Sequence, residues 1–217
     1  LISEVKLEGE DVTLKAVVKD GHWITYDSHG GTYVAPAFVK GNGTTTAPAA
    51  PTRPGYTFHH WSATVGGAAF TFGYPLDQAL TLYAVWTPNS DTNYTVIHWW
   101  ENANDDGYTY HESETKSGTT GELTAAVGKT YNVTGTNVLG RSVSDQVFTA
   151  QAITQEIIAG DGSTIVNVYY TRKSYTIIFR VKEGYGWNSS WKTLKELTKK
   201  WGENLQESDW YTYNDDN

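Results

Sequence analysis

A strand–connector–strand junction occurs three times in this chain and leaves few architectures open. In "DVTLKAVVKDGHWITYDSHGG" (11–31), "ALTLYAVWTPNSDTNYTVIHWWEN" (79–102) and "TIVNVYYTRKSYTIIFRVKEG" (164–184), alternating apolar residues meet a short polar connector, then a second alternating run. Period-two alternation marks a half-buried strand. Leu14, Leu82 and Val166 hold equivalent places, as do Val18, Trp86 and Tyr170 at the strand ends. The steps from 14 to 82 and from 82 to 166 are domain-sized, so each junction reads as a closing strand followed by the opening strand of the next module.

The chain then parses into the closing strand of a preceding module (about 1–20), a β module (about 21–88), a second β module (about 92–172) and the start of a further one (about 174–217). The connectors at 87–92 and 171–174 are short and polar, which implies limited bending between neighbours. Aromatics make up 14% of residues, with 9 Trp and 15 Tyr, while hydrophobic residues reach only 39%. Cores built from a few large rings suit small domains, and Thr and Tyr favour strands. The expected class is therefore mainly β: a tandem array of small modules with little helix. The helix candidate is "WKTLKELTKKWGENL" (191–205), where Leu194, Leu197, Trp201 and Leu205 fall near a helical period; a strand is the alternative.

The net charge of −8 argues against nucleic acid or an anionic membrane as partner. With no cysteine, disulfides, thiolate metal sites and cysteine nucleophiles are excluded. No methionine is present either, so the chain is expected to be an internal stretch of a longer protein. No run approaches the roughly 18 apolar residues of a membrane span, so no membrane insertion is expected of this fragment.

Within the first module, Gly30 and Gly31 supply the backbone freedom that the turn in "YDSHGGTY" requires. "TAPAAPTRPG" is too proline-rich for a helix or a central strand and reads as an extended surface connection. In "YTFHHWS", strict alternation puts Tyr56, Phe58 and His60 on one face and Thr57, His59 and Trp61 on the other.

These blocks carry a resemblance. "ITYDSHGGTYV", "PTRPGYTFHHWS" and "LDQALTLYAVWT", in that order, resemble the three blocks of the internalin-type B-repeat, also called the Listeria–Bacteroides repeat, over about Trp23 to Thr87. His60 departs from the pattern, which usually has Gly before the tryptophan. The second module is similar to a divergent partner repeat found beside B-repeats in large bacterial surface proteins, and the segment from Tyr175 resembles another such opening. The resemblance implies β-grasp-like modules in secreted or cell-wall-attached proteins, with no enzymatic activity and no cofactor, acting as spacers and adhesion modules. Partners would be neighbouring modules and a host-surface protein or glycan. It also gives structural roles: Pro51 and Pro54 stiffen the connection, Gly55 permits the turn, and Tyr56, Phe58 and Trp61 pack beneath it, with Leu82, Tyr83 and Trp86 on the closing strand. Each buried ring would contribute roughly 1.5–3 kcal/mol.

Three clusters invite a chemical reading. "NANDDG" approximates the opening of a calcium loop, with Asn102, Asn104 and Asp106 at alternate positions and Gly107 sixth. Its flanks read as strands, so a polar hairpin tip is the simpler reading. The histidines include the pair His59–His60, while His98 and His111, on two strands of one hairpin, could hold zinc between them, but no third ligand is placed. Trp99 and Trp100 must point to opposite faces of one strand, one into a core and the other toward solvent or a neighbouring module. The outward ring is a candidate platform for a sugar or a protein. No nucleophile elbow, P-loop or dinucleotide fingerprint is present. The sequence thus favours a non-enzymatic spacer and display segment, with a glycan- or protein-binding module as the rival reading.

Overall fold

A computed structural model describes residues 20–136, 140–184 and 186–212. The closing strand expected before residue 20 lies outside the described residues, apart from Asp20 itself. The chain divides after Thr87 into two compact units. Among the described residues there are eleven strands and two short 3-10 turns, Gly186–Asn188 and Glu207–Asp209. The protein is mainly β, and among the described residues no helix is long and apolar enough to cross a membrane.

The first unit is a four-stranded sheet of β1 (Gly21–Asp27), β2 (Ala37–Lys40), β3 (Tyr56–Ser62) and β4 (Leu80–Pro88), in the order β2-β1-β4-β3. β1 pairs antiparallel with β2, and parallel with β4, with Ile24 opposite Leu80 and Tyr26 opposite Leu82. Alternation in β4 turns Leu82 and Ala84 inward. They meet Ile24, Val39 and Trp61 in a core flanked by Tyr26, Phe58, Phe70 and Phe72.

The second unit holds β5 (Thr92–Glu101), β6 (Tyr108–Gly118), β7 (Tyr131–Thr136), β8 (Ser142–Ala150) and β9 (Ile165–Arg172), in the order β6-β5-β9-β8-β7. Here too the opening strand lies parallel to the closing one, from Thr95 opposite Ile165 to Trp100 opposite Tyr170. Parallel neighbours cannot be joined by a tight turn, so each unit must wrap its remaining chain around this central pair. Val166, Val168 and Tyr170 point inward from β9, and Tyr94, Val96 and His98 from β5. Val147, Phe148 and Ile158 complete the core.

β9 runs into β10 (Ser174–Glu183) through one residue, Lys173, and β10 pairs antiparallel with β11 (Ser190–Lys200). The helix expected over 191–205 is therefore a strand for most of its length. The reason is visible in the register: Phe179 faces Lys195 and Arg180 faces Thr193, so Leu194 is an extra, bulged residue. A bulge shifts the side-chain phase by one position. Leu194 and Leu197 thereby share a half-buried face three residues apart, a spacing that imitates a helix.

Candidate functional site

The first cluster the sequence singled out is a lock between two loops of the first unit. His29 (φ 50°) and Gly30 (φ 89°) adopt left-handed backbone in succession, closed by the Gly31 N–H donating to Ser28 O at 3.0 Å and the His29 N–H to Asp27 Oδ1 at 2.9 Å. Trp86 Nε1 donates to Ser28 O at 2.9 Å and lies so close to Gly31 that a Cβ there would fall 2.5 Å from the indole. From the other loop, Arg53 donates to His29 O at 3.1 Å while its guanidinium lies 3.8 Å from the Tyr56 ring centre. Pro54 and Gly55 (φ 74°) occupy the centre of a turn closed by the Tyr56 N–H donating to Arg53 O, the arrangement of a type II turn. Pro51 is buried and Pro54 exposed; Tyr83 is half-buried opposite Asp27. The Trp86 indole, the Arg53 guanidinium and the Asp27 carboxylate are all used to hold chain to chain.

Beneath it, Trp61 is buried at 4.9 Å from Tyr26 and 5.5 Å from Phe58, and Phe58 is 5.5 Å from Trp86. Strict alternation would separate Phe58 from Trp61, and this expectation is corrected. The rings of His59 and His60 lie 4.9 Å apart, with their Nδ1 atoms 2.7 Å apart, a contact that adjacent residues of a regular strand cannot make. Trp61 and the next residue, Ser62, are both buried, so strict alternation ends there and Trp61 joins Phe58 on the core side. His60 also reaches Gly67 O through Nε2 at 2.9 Å, tying down the loop after β3.

In the second unit, His98 is fully buried. Its Nδ1 lies 2.8 Å from the Tyr170 hydroxyl, which itself accepts the Lys129 N–H at 2.8 Å. The hydroxyl proton is thus available to Nδ1, and Nε2 faces Glu114 at 3.4 Å. Burial first, then the charge of Lys129, hold the His98 pKa below its ordinary value. Burial pushes the Glu114 carboxyl upward, but Lys129 and Lys116 outweigh it and the pKa ends below its usual range. Glu112 accepts from the Tyr131 hydroxyl at 2.6 Å, which lowers its own pKa. His111 does not turn toward His98: it is the extra residue of a bulge, stacked on Trp100 at 3.5 Å. Among the described residues no group of three or more His, Asp or Glu side chains could hold a metal ion.

Two of the three candidate oxygens of the calcium-like loop accept hydrogen bonds from the protein, and the third lies near a lysine. Asn102 Oδ1 accepts from the Thr109 hydroxyl at 2.6 Å, Asn104 Oδ1 accepts from the Asn204 N–H at 3.1 Å, and the Asp106 carboxylate faces Lys200 at 3.6 Å. The loop is a hairpin tip fastened to the segment after β11. The two tryptophans part as expected. Trp100 turns inward, stacked on Phe148 at 4.2 Å. Trp99 lies on the outer face, beside Tyr110 and Tyr169.

Sequence reasoning missed the junction after β9. The Arg172 backbone N–H donates to Glu101 Oε2 at 2.7 Å, its guanidinium donates to Trp201 O at 3.1 Å, and the cation sits over the Phe148 and Trp201 rings. Lys200 completes the clamp with Glu101 at 2.8 Å. A depression of about 460 Å³ beside it contains one carboxylate, Asp145, held by Lys173 at 2.7 Å and by the Tyr175 hydroxyl. The Arg172–Lys173 pair in the connector of the third junction is the sequence signal that could have pointed to this clamp.

The geometry defines a chain of small β units whose polar groups fasten strands and turns together. The Listeria-Bacteroides repeat domain model matches residues 22–85, from the second residue of β1 to near the end of β4, so this stretch is a repeat module of that family. No curated protein matches the chain.

Proposed function

We propose that the chain is a non-enzymatic segment of a bacterial surface protein, in which β modules in series act as a load-bearing spacer and display stalk. The observation that carries this reading is the parallel pairing of opening and closing strands in both units, β1 with β4 and β5 with β9. In a parallel pair, the start of one strand and the end of the other lie at opposite ends of the ladder. Tension applied along the chain therefore shears all the ladder hydrogen bonds together rather than peeling them one by one. The module at 22–85 supports placement in a repetitive surface protein, secreted and attached to the cell wall. The clamp of Arg172, Glu101 and Lys200 supports a further module opening at residue 174 and seated stiffly on its predecessor.

Immunolabelling of intact bacteria that express the protein tests the location. Labelling of unbroken cells is expected, and labelling only after lysis would contradict it.

A further inference from the structure

The outer face of the five-stranded sheet has a chemistry that the display role does not use. Trp99 faces Tyr110 on β6 and Tyr169 on β9, and Ile97 faces Ser113 and Asn167. From Thr95 to Trp99 on β5, Tyr110 to Thr115 on β6 and Ile165 to Thr171 on β9, no outward position carries a charge, in a chain with 18% charged residues. Solvent-facing strands are ordinarily kept soluble by Lys and Glu, so a charge-free, ring-rich face marks an interaction surface.

The rings are held in place. Trp99 and Tyr169 lie nearly parallel, 19° apart with centres 6.3 Å from each other, while Tyr110 meets Trp99 edge-on and Tyr108 meets Tyr169 at 4.9 Å. Trp99 Nε1 donates to Asn167 Oδ1 at 2.8 Å, and Gln151 Nε2 donates to the Tyr108 hydroxyl at 2.6 Å. Tyr110 is 54% exposed. Fixed rings lose little conformational freedom on binding.

We propose that this face binds a neutral glycan. A pyranose ring presents C–H bonds whose slightly positive hydrogens match the negative face of an aromatic ring. Its hydroxyls can meet the amide of Asn167, the carbonyl of Gln151 and the Ser113 hydroxyl. The absence of charge among these outward positions selects an uncharged partner, since the carboxylate at the border, Glu101 opposite Tyr108, is already held by Lys200 at 2.8 Å. This role goes beyond display and does not depend on it.

The test is affinity electrophoresis of the whole chain through gels containing a neutral β-glucan, a galactomannan, an α-glucan or, as the charged comparison, polygalacturonate. Retardation by at least one neutral polymer is expected, weakened at least 10-fold in Trp99→Ala and Tyr169→Ala and unchanged in Trp187→Ala, whose ring is fully exposed on a turn between β10 and β11. Should Trp99→Ala lose its circular-dichroism signature, Tyr110→Ala takes its place. No retardation by any neutral polymer, retardation that survives both substitutions, or equal retardation by polygalacturonate would overturn the proposal. Loss of this activity would leave the load-bearing reading standing, because that role is read by rupture force.

Discussion

At Gly31 the need for glycine is one of contact as well as turn geometry. The indole of Trp86 occupies the space a Cβ would take, so Gly31→Ala forces the closing strand's tryptophan away from Ser28. The expected loss is about 1–3 kcal/mol in urea denaturation followed by Trp fluorescence, typical of overpacking. Gly135→Ala, with open space around it, is expected to change stability by less than about 0.5 kcal/mol. His98 sets a pH dependence for the second unit. Its folded pKa lies below its ordinary value, so the unfolded chain binds the proton more readily. The stability it protects is fully present above about pH 6.5 and is lost as pH falls through that value toward the folded pKa. The melting temperature is expected to fall between pH 7.5 and 5.5, and His98→Gln should flatten that slope. A slope unchanged by the substitution would assign it elsewhere. Glu112 and Glu114, held low, add a separate loss only below about pH 4.5.

At the scale of the elements, alternation made most strands legible, and bulges account for what it misplaced. Leu194 on β11 turned a strand into an apparent helix. His111 on β6 took a histidine away from His98 and laid it on Trp100. The end of strict alternation at Trp61–Ser62 put Trp61 with Phe58, and the extra Val147 on β8 lets two successive residues be buried. A bulge costs one residue of phase and leaves no compositional mark, so a period-two reading passes over it. The lock of the first unit was legible because Gly and Pro announce turn geometry directly. Which of Trp99 and Trp100 faces the core was not, since alternation gives opposition but not direction. The clamp behind β9 gives this scale its prediction. Arg172→Ala removes a charged donor to the Trp201 carbonyl and a cation over two rings, costing about 1.5–3 kcal/mol. Amide exchange in β10 and β11 should accelerate at least 10-fold while β1–β4 are unaffected. Equal acceleration everywhere would contradict a local clamp.

For the whole molecule, the account is mechanical: two units, each with its entering and leaving strands side by side and parallel. The ladder between β5 and β9 covers six residue pairs and that between β1 and β4 four, so the second unit should resist tension longer. Circular rearrangement of the load tests the geometry as well as the strength: pulling a unit across the β5–β6 hairpin peels bonds singly and should need less force. The most direct measurement is single-molecule extension of the whole chain, held by its ends at constant pulling speed. Two separate ruptures are predicted, releasing about 200 and 240 Å of chain enclosed by the two parallel pairs, with the longer release at the higher force. A single rupture releasing both lengths together, or gradual extension without a peak, would contradict it.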